Sequence, residues 1–302
     1  MASSDLARRL AALTAAATLV LILAGGLVTN TGAGLAVPDW PSTFGHNMFT
    51  FPWSGMVGGI FYEHSHRLLG SLVGVLTLGL AAALWPSGGW LRTLGLVAVA
   101  AVILQGILGG LRVVLLEYRL AVLHGCLAQA FFALVVVIGT MASARARTPS
   151  PAIAGDPALR RLTLVAAALV YVQIVLGALL THLGLVEMHL AGAVLVVVFL
   201  PIVTARWRRS GDPVGRPLAI ALLALLGVQL VLGVAAWLVR FTELVLPGGG
   251  MTGLAMPVSH RLVGSLILGL VMALAARASL ASAVEPRPVA TGALAAAGRS
   301  AR

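Results

Sequence analysis

Long apolar runs, separated by short polar or glycine-rich stretches, recur along this chain from end to end. A helix that crosses the hydrocarbon of a membrane needs about 20 predominantly apolar residues. Eight stretches qualify: 10–30, 64–85, 91–112, 120–141, 162–181, 189–206, 217–239 and 258–280. Their even number puts both termini on one side. The pattern predicts an all-α integral membrane protein with eight transmembrane helices.

A slower repeat lies over these runs. Three odd-numbered helices carry Gln-x-x-x-Gly: Gln105 to Gly109, Gln173 to Gly177 and Gln229 to Gly233. The first helix has the glycines, Gly25 and Gly26, but Leu21 at the glutamine position. After each odd helix comes an outer loop and then an even helix opening with His66, His124, His189 or His260. Repeats of this length are architectural units, and four hairpins in series predict two pseudo-symmetric four-helix bundles. Their expected bounds are 1–145 and 159–281, joined by a linker at 146–158. A tail at 282–302, with Pro286, Pro288, Gly292 and alternating alanines, is expected to be disordered.

Ionisable groups at the end of a span are costly and by default carry function. Every even helix starts at the outer face, so all four histidines fall in one layer. His66, Gly70 and Gly74 are spaced by four, as are His260 and Gly264, which places a glycine one turn from each histidine on nearly the same face. His189 has Gly192 and Ala193 there, and His124 has Ala128. A flat, bulky ligand could lie on such a surface. Two inward-facing histidines in each of two bundles suit bis-imidazole ligation of a haem iron. The alternative for each glycine alone is an ordinary small-residue helix contact. His64, about 200° around the helix from His66, cannot bind the same iron, and His46 and His182 lie in or beside outer loops without an assigned partner.

Charge changes the picture in two ways. All 20 basic residues are arginine, and the net charge is +11. Fifteen of them (Arg8, Arg9, Arg92, Arg145, Arg147, Arg160, Arg161, Arg206, Arg208, Arg209, Arg216, Arg277, Arg287, Arg299 and Arg302) lie at the N-terminus, the even-to-odd loops and the tail. That distribution marks a cytoplasmic face and argues against nucleic acid as a partner. The other five, Arg67, Arg112, Arg119, Arg240 and Arg261, sit at the outer ends of spans. Arg67, Arg119 and Arg261 are candidates for contacts to propionate carboxylates, whereas Arg112 and Arg240 also suit snorkelling to headgroups. The chain is 60% hydrophobic and 10% charged, with mean hydropathy +1.03, outside the range of soluble domains. The basic start runs into a span of normal length without a small-residue cleavage site, so it reads as a first helix. Cys126 is the only cysteine, which rules out an intramolecular disulfide. The first outer loop, 31–62, holds Asp39-Trp40-Pro41, Phe44, Phe49, Phe51-Pro52-Trp53 and no basic residue. It reads as an interfacial cover or as an aromatic belt.

Taken together, Glu63-x-x-His66-Arg67, the histidine opening each even helix, the Gln-x-x-x-Gly helices and Gly-Leu-Val-Thr-Asn-Thr-Gly-Ala-Gly at 26–34 resemble the haem A synthase family, whose mitochondrial members are the Cox15 proteins. The resemblance covers about residues 20 to 280. It implies a membrane-bound, haem-dependent oxidoreductase in the plasma membrane of a bacterium, with haem sites toward the outer face, that oxidises a porphyrin methyl of haem O to the formyl of haem A for terminal oxidases. It further implies that His189 and His260 bind a resident haem b, that His66 and His124 hold haem O, and that Glu63 is the catalytic carboxylate. Besides haem O and the bilayer, the implied partners are haem O synthase and an electron carrier. Many bacterial relatives carry a cysteine pair in the first outer loop, and this loop has none.

One asymmetry is independent of the resemblance. Aligning the two Ser-His-Arg phrases sets Glu63 against Pro257, so only the N-terminal half has an acid three residues before its histidine, on the same helix face. A favourable charge near a helix N-terminus would not account for that difference. Two other readings remain: a two-haem b electron-transfer protein without substrate chemistry, and a repeat-built transporter. Glu63 speaks against the first, and the gathering of polar groups at one surface, not the midplane, against the second. The arginine distribution predicts that reporter fusions after Arg147 and after Arg209 both score cytoplasmic; an external signal from either overturns the helix count.

Overall fold

The computed structural model describes residues 2–144, 148, 151–244 and 246–283. Eight long helices fill it: α1 (Ala2–Asn30), α2 (Gly58–Leu84), α3 (Gly89–Val114), α4 (Tyr118–Ala142), α5 (Pro157–Leu183), α6 (Val186–Arg209), α7 (Gly215–Phe241) and α8 (Gly250–Ala283). All eight are long and apolar enough to cross a membrane. Among the described residues there is no strand, only an isolated bridge between Thr43 and His46. Part of the expected linker and, beyond Ala283, the expected tail lie outside the described residues.

Two helices begin earlier than the apolar runs suggest. α2 starts at Gly58 instead of 64, so Glu63, His64 and His66 stand inside the helix and not at its mouth. α8 starts at Gly250 instead of 258, with Pro257 in its interior. The added turns mix glycines and single polar residues, such as Glu63 and Thr252, with apolar ones, such as Ile60, Phe61, Met251 and Leu254, so the apolar run is interrupted although the helix is not.

Within each half the four helices close a ring. In the first, α1 packs on α2, α2 on α3, α3 on α4 and α4 back on α1; in the second, α5, α6, α7 and α8 do the same. The halves meet where α8 lies against α1 and α4, and α4 against α5. Accordingly α8 is 61% buried across its apolar window, against 33% or less for every other span. Each ring has its own core: Val73, Leu80, Leu84, Phe131, Val135 and Ile138 in the first, and Leu200, Trp207, Leu222, Leu268, Val271 and Leu274 in the second. Because lipid tails are as apolar as leucine, close packing rather than water exclusion holds such helices together. Gly139 against Ala11 and Gly95 against Ala81 provide that close approach. Buried threonines return their hydroxyls to the carbonyl four residues back, as Thr18 does to Thr14 (2.7 Å) and Thr77 to Val73 (2.7 Å). Valines such as Val75, Val194 and Val231 point outward, 65%, 62% and 70% exposed.

Ion pairs clasp the end of the second half opposite the histidines. Asp156 caps α5 by accepting from the Leu159 N–H (2.9 Å) and grips Arg206 of α6 with both oxygens (3.0 and 2.8 Å). The hydrogen bond from Arg206 holds its carboxyl below the usual carboxylate range. Trp207, fully buried, donates to Thr163 (2.9 Å). Asp212, between α6 and α7, takes two bonds from Arg277 of α8 (2.7 and 2.6 Å) and the N–H groups of Val214 and Gly215. Both partners of this pair are buried. Two arginines counted on the basic face are thus structural.

Burial pushes the Asp212 carboxyl up, but Arg277 and the Gly215 and Val214 N–H groups outweigh it and bring the group down to about 2. The stabilisation is therefore complete above the unfolded value of 3.8 and is lost as pH falls toward 2. Removing one partner of a buried pair costs roughly 3 kcal/mol or more. Asp212→Asn is expected to lower the melting temperature of the detergent-solubilised protein at pH 7 and to flatten its loss of stability below pH 4, both readable by thermal unfolding.

Candidate functional site

The four span-opening histidines come together as two pairs. His66 of α2 and His124 of α4 face each other with ring centroids 6.3 Å apart and planes at 72°. His189 of α6 and His260 of α8 repeat this at 6.2 Å and 75°. Each ring rests against a glycine of the preceding odd helix. A Cβ built on Gly25, Gly109, Gly177 or Gly233 would lie 3.0, 3.2, 3.2 or 3.0 Å from the Cε1 of His66, His124, His189 or His260, respectively. The glycine of Gln-x-x-x-Gly therefore makes room for an imidazole. Its glutamine steadies the same histidine: Gln105 and Gln173 donate to the backbone carbonyls of His124 (3.0 Å) and His189 (2.9 Å), and Gln229 meets the His260 ring (3.2 Å). His66 has Leu21 in place of such a partner.

The spacing has a chemical meaning. A metal–imidazole bond is about 2 Å long, and each ring centre lies about 1 Å beyond its nitrogen, so one metal between two axial imidazoles needs centroids roughly 6 Å apart. Both pairs meet that requirement. Among the described residues no group of three or more His, Cys, Asp or Glu converges. Each centre would draw only two ligands from the protein, and the remaining positions must come with the metal, as they do in a haem. The Nδ1 atoms of His66 and His124 lie on the side of α1 and α3, 3.5 and 3.6 Å from a Cβ built on Gly25 and Gly109. These features fit an iron macrocycle.

The surroundings of the two pairs differ. A Cβ on Gly70 or Gly74, below His66, would meet nothing within 4 Å. Below His189, the face of Gly192 is filled by the Gln173 and Leu176 side chains, and Gly264, below His260, has the Gln229 amide at 3.4 Å. The glycines expected to leave a ligand surface do so in the first half, whereas glutamines cover them in the second.

Glu63 is buried, and both of its oxygens are engaged: Oε2 accepts the Val37 N–H (3.0 Å) and Oε1 accepts from Arg67 (2.8 Å). Arg67 also donates to the carbonyls of Val37 (3.1 Å), Asp39 (2.7 Å) and Ser42 (3.0 Å). Expected on a propionate, Arg67 instead gives its terminal amines to the first outer loop and Glu63. His64 points away from His66, meets Thr43 through Nδ1 (3.1 Å) and lies 5.1 Å from the Phe51 ring. On the far side, Trp40 covers Gly110 of α3, and Arg112 donates to Gly34 (2.8 Å). Asp39 ties the loop tip by accepting from Ser42, Phe44 and Gly45; these bonds outweigh the upward push of burial and hold its carboxyl at about 2. His46 packs on Phe51. The loop is thus a cover fastened to α2 and α3, with His64 and Arg112 among its fasteners.

Of the remaining outer arginines, Arg119 and Arg240 are exposed. Arg261, the counterpart of Arg67, has Pro257 where Arg67 has Glu63. Among the described residues its guanidinium makes no hydrogen bond or ion pair, and it approaches Gly26 of α1. The loop anchors and the cross-helix glycine contacts were not assigned from the sequence; the Gln-x-x-x-Gly repeat was the available signal for the latter.

A model of the COX15-CtaA family, described as cytochrome oxidase assembly protein, matches residues 8–188, a region that contains Glu63, His66 and His124 and stops one residue before His189. A protein named "Heme A synthase" from Beijerinckia indica subsp. indica is 28% identical over 294 residues, 83% of this chain and 80% of that one. Proteins of the same name from Halalkalibacterium halodurans and Shouchella clausii are 28% and 33% identical over 175 and 140 residues. These two alignments span about half of the relatives' length, 57% and 45%. With the family model covering more than half of its residues, the chain belongs to the COX15-CtaA family of cytochrome oxidase assembly proteins.

Proposed function

We propose that this protein is a haem A synthase, with haem O as substrate at His66 and His124 and a resident haem b at His189 and His260. The observation that carries this reading is the pair of equally spaced imidazole couples, 6.3 and 6.2 Å, of which the first has an acid three residues before its histidine, Glu63, and an open glycine face. A resident cofactor needs its ligands held still, and Gln173 and Gln229 steady His189 and His260 in the second half. Substrate must enter and leave, which suits the open surface at Gly70 and Gly74. The relatives' printed name points the same way and does not favour electron transfer without substrate chemistry.

In this reading the family reaction converts one porphyrin methyl to a formyl in successive oxidations, and the bound haem supplies the redox chemistry. The chain's own residues do the rest. His66 and His124 hold the substrate iron and so fix the macrocycle in its plane. The fastened loop excludes water from that half, which strengthens any charge inside it. Glu63 stands three residues before His66 on the same helix face, and its carboxylate can stabilise positive charge developing at the reacting carbon or take a proton from it. Arg67 and the Val37 N–H keep that carboxylate in place. Arg261, without a protein counter-ion, is suited to a haem propionate, and Arg119 stands exposed at the start of α4 for the same task. The arginine distribution orients the histidine layer toward the outside of a bacterial plasma membrane, where an enzyme making haem O and an electron carrier would be met.

Two outcomes test this. His189→Ala or His260→Ala is expected to remove the resident haem, because each leaves one protein ligand; a six-coordinate low-spin spectrum surviving in either variant contradicts the assignment. Glu63→Gln keeps shape and one acceptor oxygen but not the charge, and is compared with Arg67→Gln in a host that makes haem O. If Glu63 is catalytic, Glu63→Gln takes up haem O yet stalls there or at a hydroxylated product, while chymotrypsin still spares the aromatic loop. Haem A at wild-type yield, or a loop opened equally in both variants, makes Glu63 a loop anchor alone.

A further inference from the structure

At the end of the second half away from the histidines, three guanidinium groups surround one groove. Arg208 and Arg209 close α6, Arg216 opens α7, and together with Ala205 they line a hollow of about 260 Å³. None of the three makes an ion pair among the described residues. The neighbouring charges are already committed: Arg206 to Asp156, and the nearest acid, Asp212, to Arg277. Among the described residues the groove is therefore a concentration of positive charge without a protein counter-ion.

What lies next to the groove decides what it would hold. On α6, Arg209, Ala205, Ile202, Val198 and Val194 follow one another at spacings of three or four and share a face. On α7, Arg216, Ile220, Ala224, Gly227 and Val231 do the same. Ile202, Val198 and Ile220 are 54%, 61% and 49% exposed, and a Cβ on Gly227 would meet nothing within 4 Å. Two adjacent helices thus present guanidinium groups at the top and an apolar, shallow seam below. A soluble anion would use only the top of this arrangement. We propose that the groove binds the phosphate of an anionic phospholipid between Arg208, Arg209 and Arg216, with an acyl chain lying along the α6–α7 seam. Bidentate arginine donors suit a phosphate, and basic pockets between transmembrane helices recognise lipid headgroups in this way.

The test is native mass spectrometry of the purified full-length protein titrated with phosphatidylglycerol, with phosphatidylcholine of the same acyl chains, and with inorganic phosphate as competitor. Phosphatidylglycerol is expected to bind at least tenfold more tightly than phosphatidylcholine. Ala205→Phe fills the floor of the groove and leaves every charge in place; it should cost tenfold or more, as should Arg209→Gln with Arg216→Gln. Arg92→Gln, which removes an equally exposed arginine stacked on Trp85, should change affinity less than twofold. Equal binding of the two lipids, unchanged affinity in Ala205→Phe, or displacement of phosphatidylglycerol by equimolar inorganic phosphate each overturns the proposal. Ala205→Phe decides the matter even if the double variant does not fold.

Discussion

An imidazole placed between two transmembrane helices needs space that a facing side chain would otherwise take, and in this fold that space comes from the backbone of the neighbouring helix. Gly25, Gly109, Gly177 and Gly233 each face a histidine at a separation where even a methyl group would press on the ring. The rest of the site follows from that approach. It fixes the helix spacing within each hairpin, turns the ring toward the partner histidine, and sets the two centroids about 6 Å apart. A larger residue at any of the four positions would move a ligand and a helix together, so ligation geometry and bundle packing are one constraint here.

The two halves use the same frame for different ends. In the second, glutamines from the odd helices fill the faces beside His189 and His260, and α8 is enclosed by helices of both rings. In the first, the corresponding glycine face is open, and polar contacts go to the covering loop. Glu63 and Arg67 occupy the positions of Pro257 and Arg261: the arginine that has an acid one turn away is tied into a loop, and the one that has a proline there makes no guanidinium hydrogen bond among the described residues. Charged side chains in a span are tolerated when paired or facing an interior surface, and the two halves illustrate both solutions.

The eight spans and the four histidines were legible in the sequence because each repeats: apolar length eight times, and the histidine at the head of each even helix. The pairing of Gly with His across helices was not, since Gln-x-x-x-Gly names a glycine but not the helix that packs on it. The helix starts at Gly58 and Gly250 lie outside the expected spans because glycines and single polar residues interrupt the apolar ones there, such as Ile60, Phe61, Met251 and Leu254, and break the run without stopping the helix. The tasks of His64 and Arg67 depend on Thr43, Phe51, Val37, Asp39 and Ser42, which lie in an irregular loop with no periodicity to read. Arg206 and Arg277 looked like topology signals because charge counting ignores their partners, Asp156 and Asp212.

The manner in which the first outer loop is fastened sets what can release it. Its attachments are hydrogen bonds and ring contacts, and the chain's single cysteine, Cys126, lies on α4 and not in the loop. No covalent bond fastens this cover, so a reductant has nothing in it to cut, and what would loosen it is competition for the hydrogen bonds made by Glu63, Arg67 and Arg112.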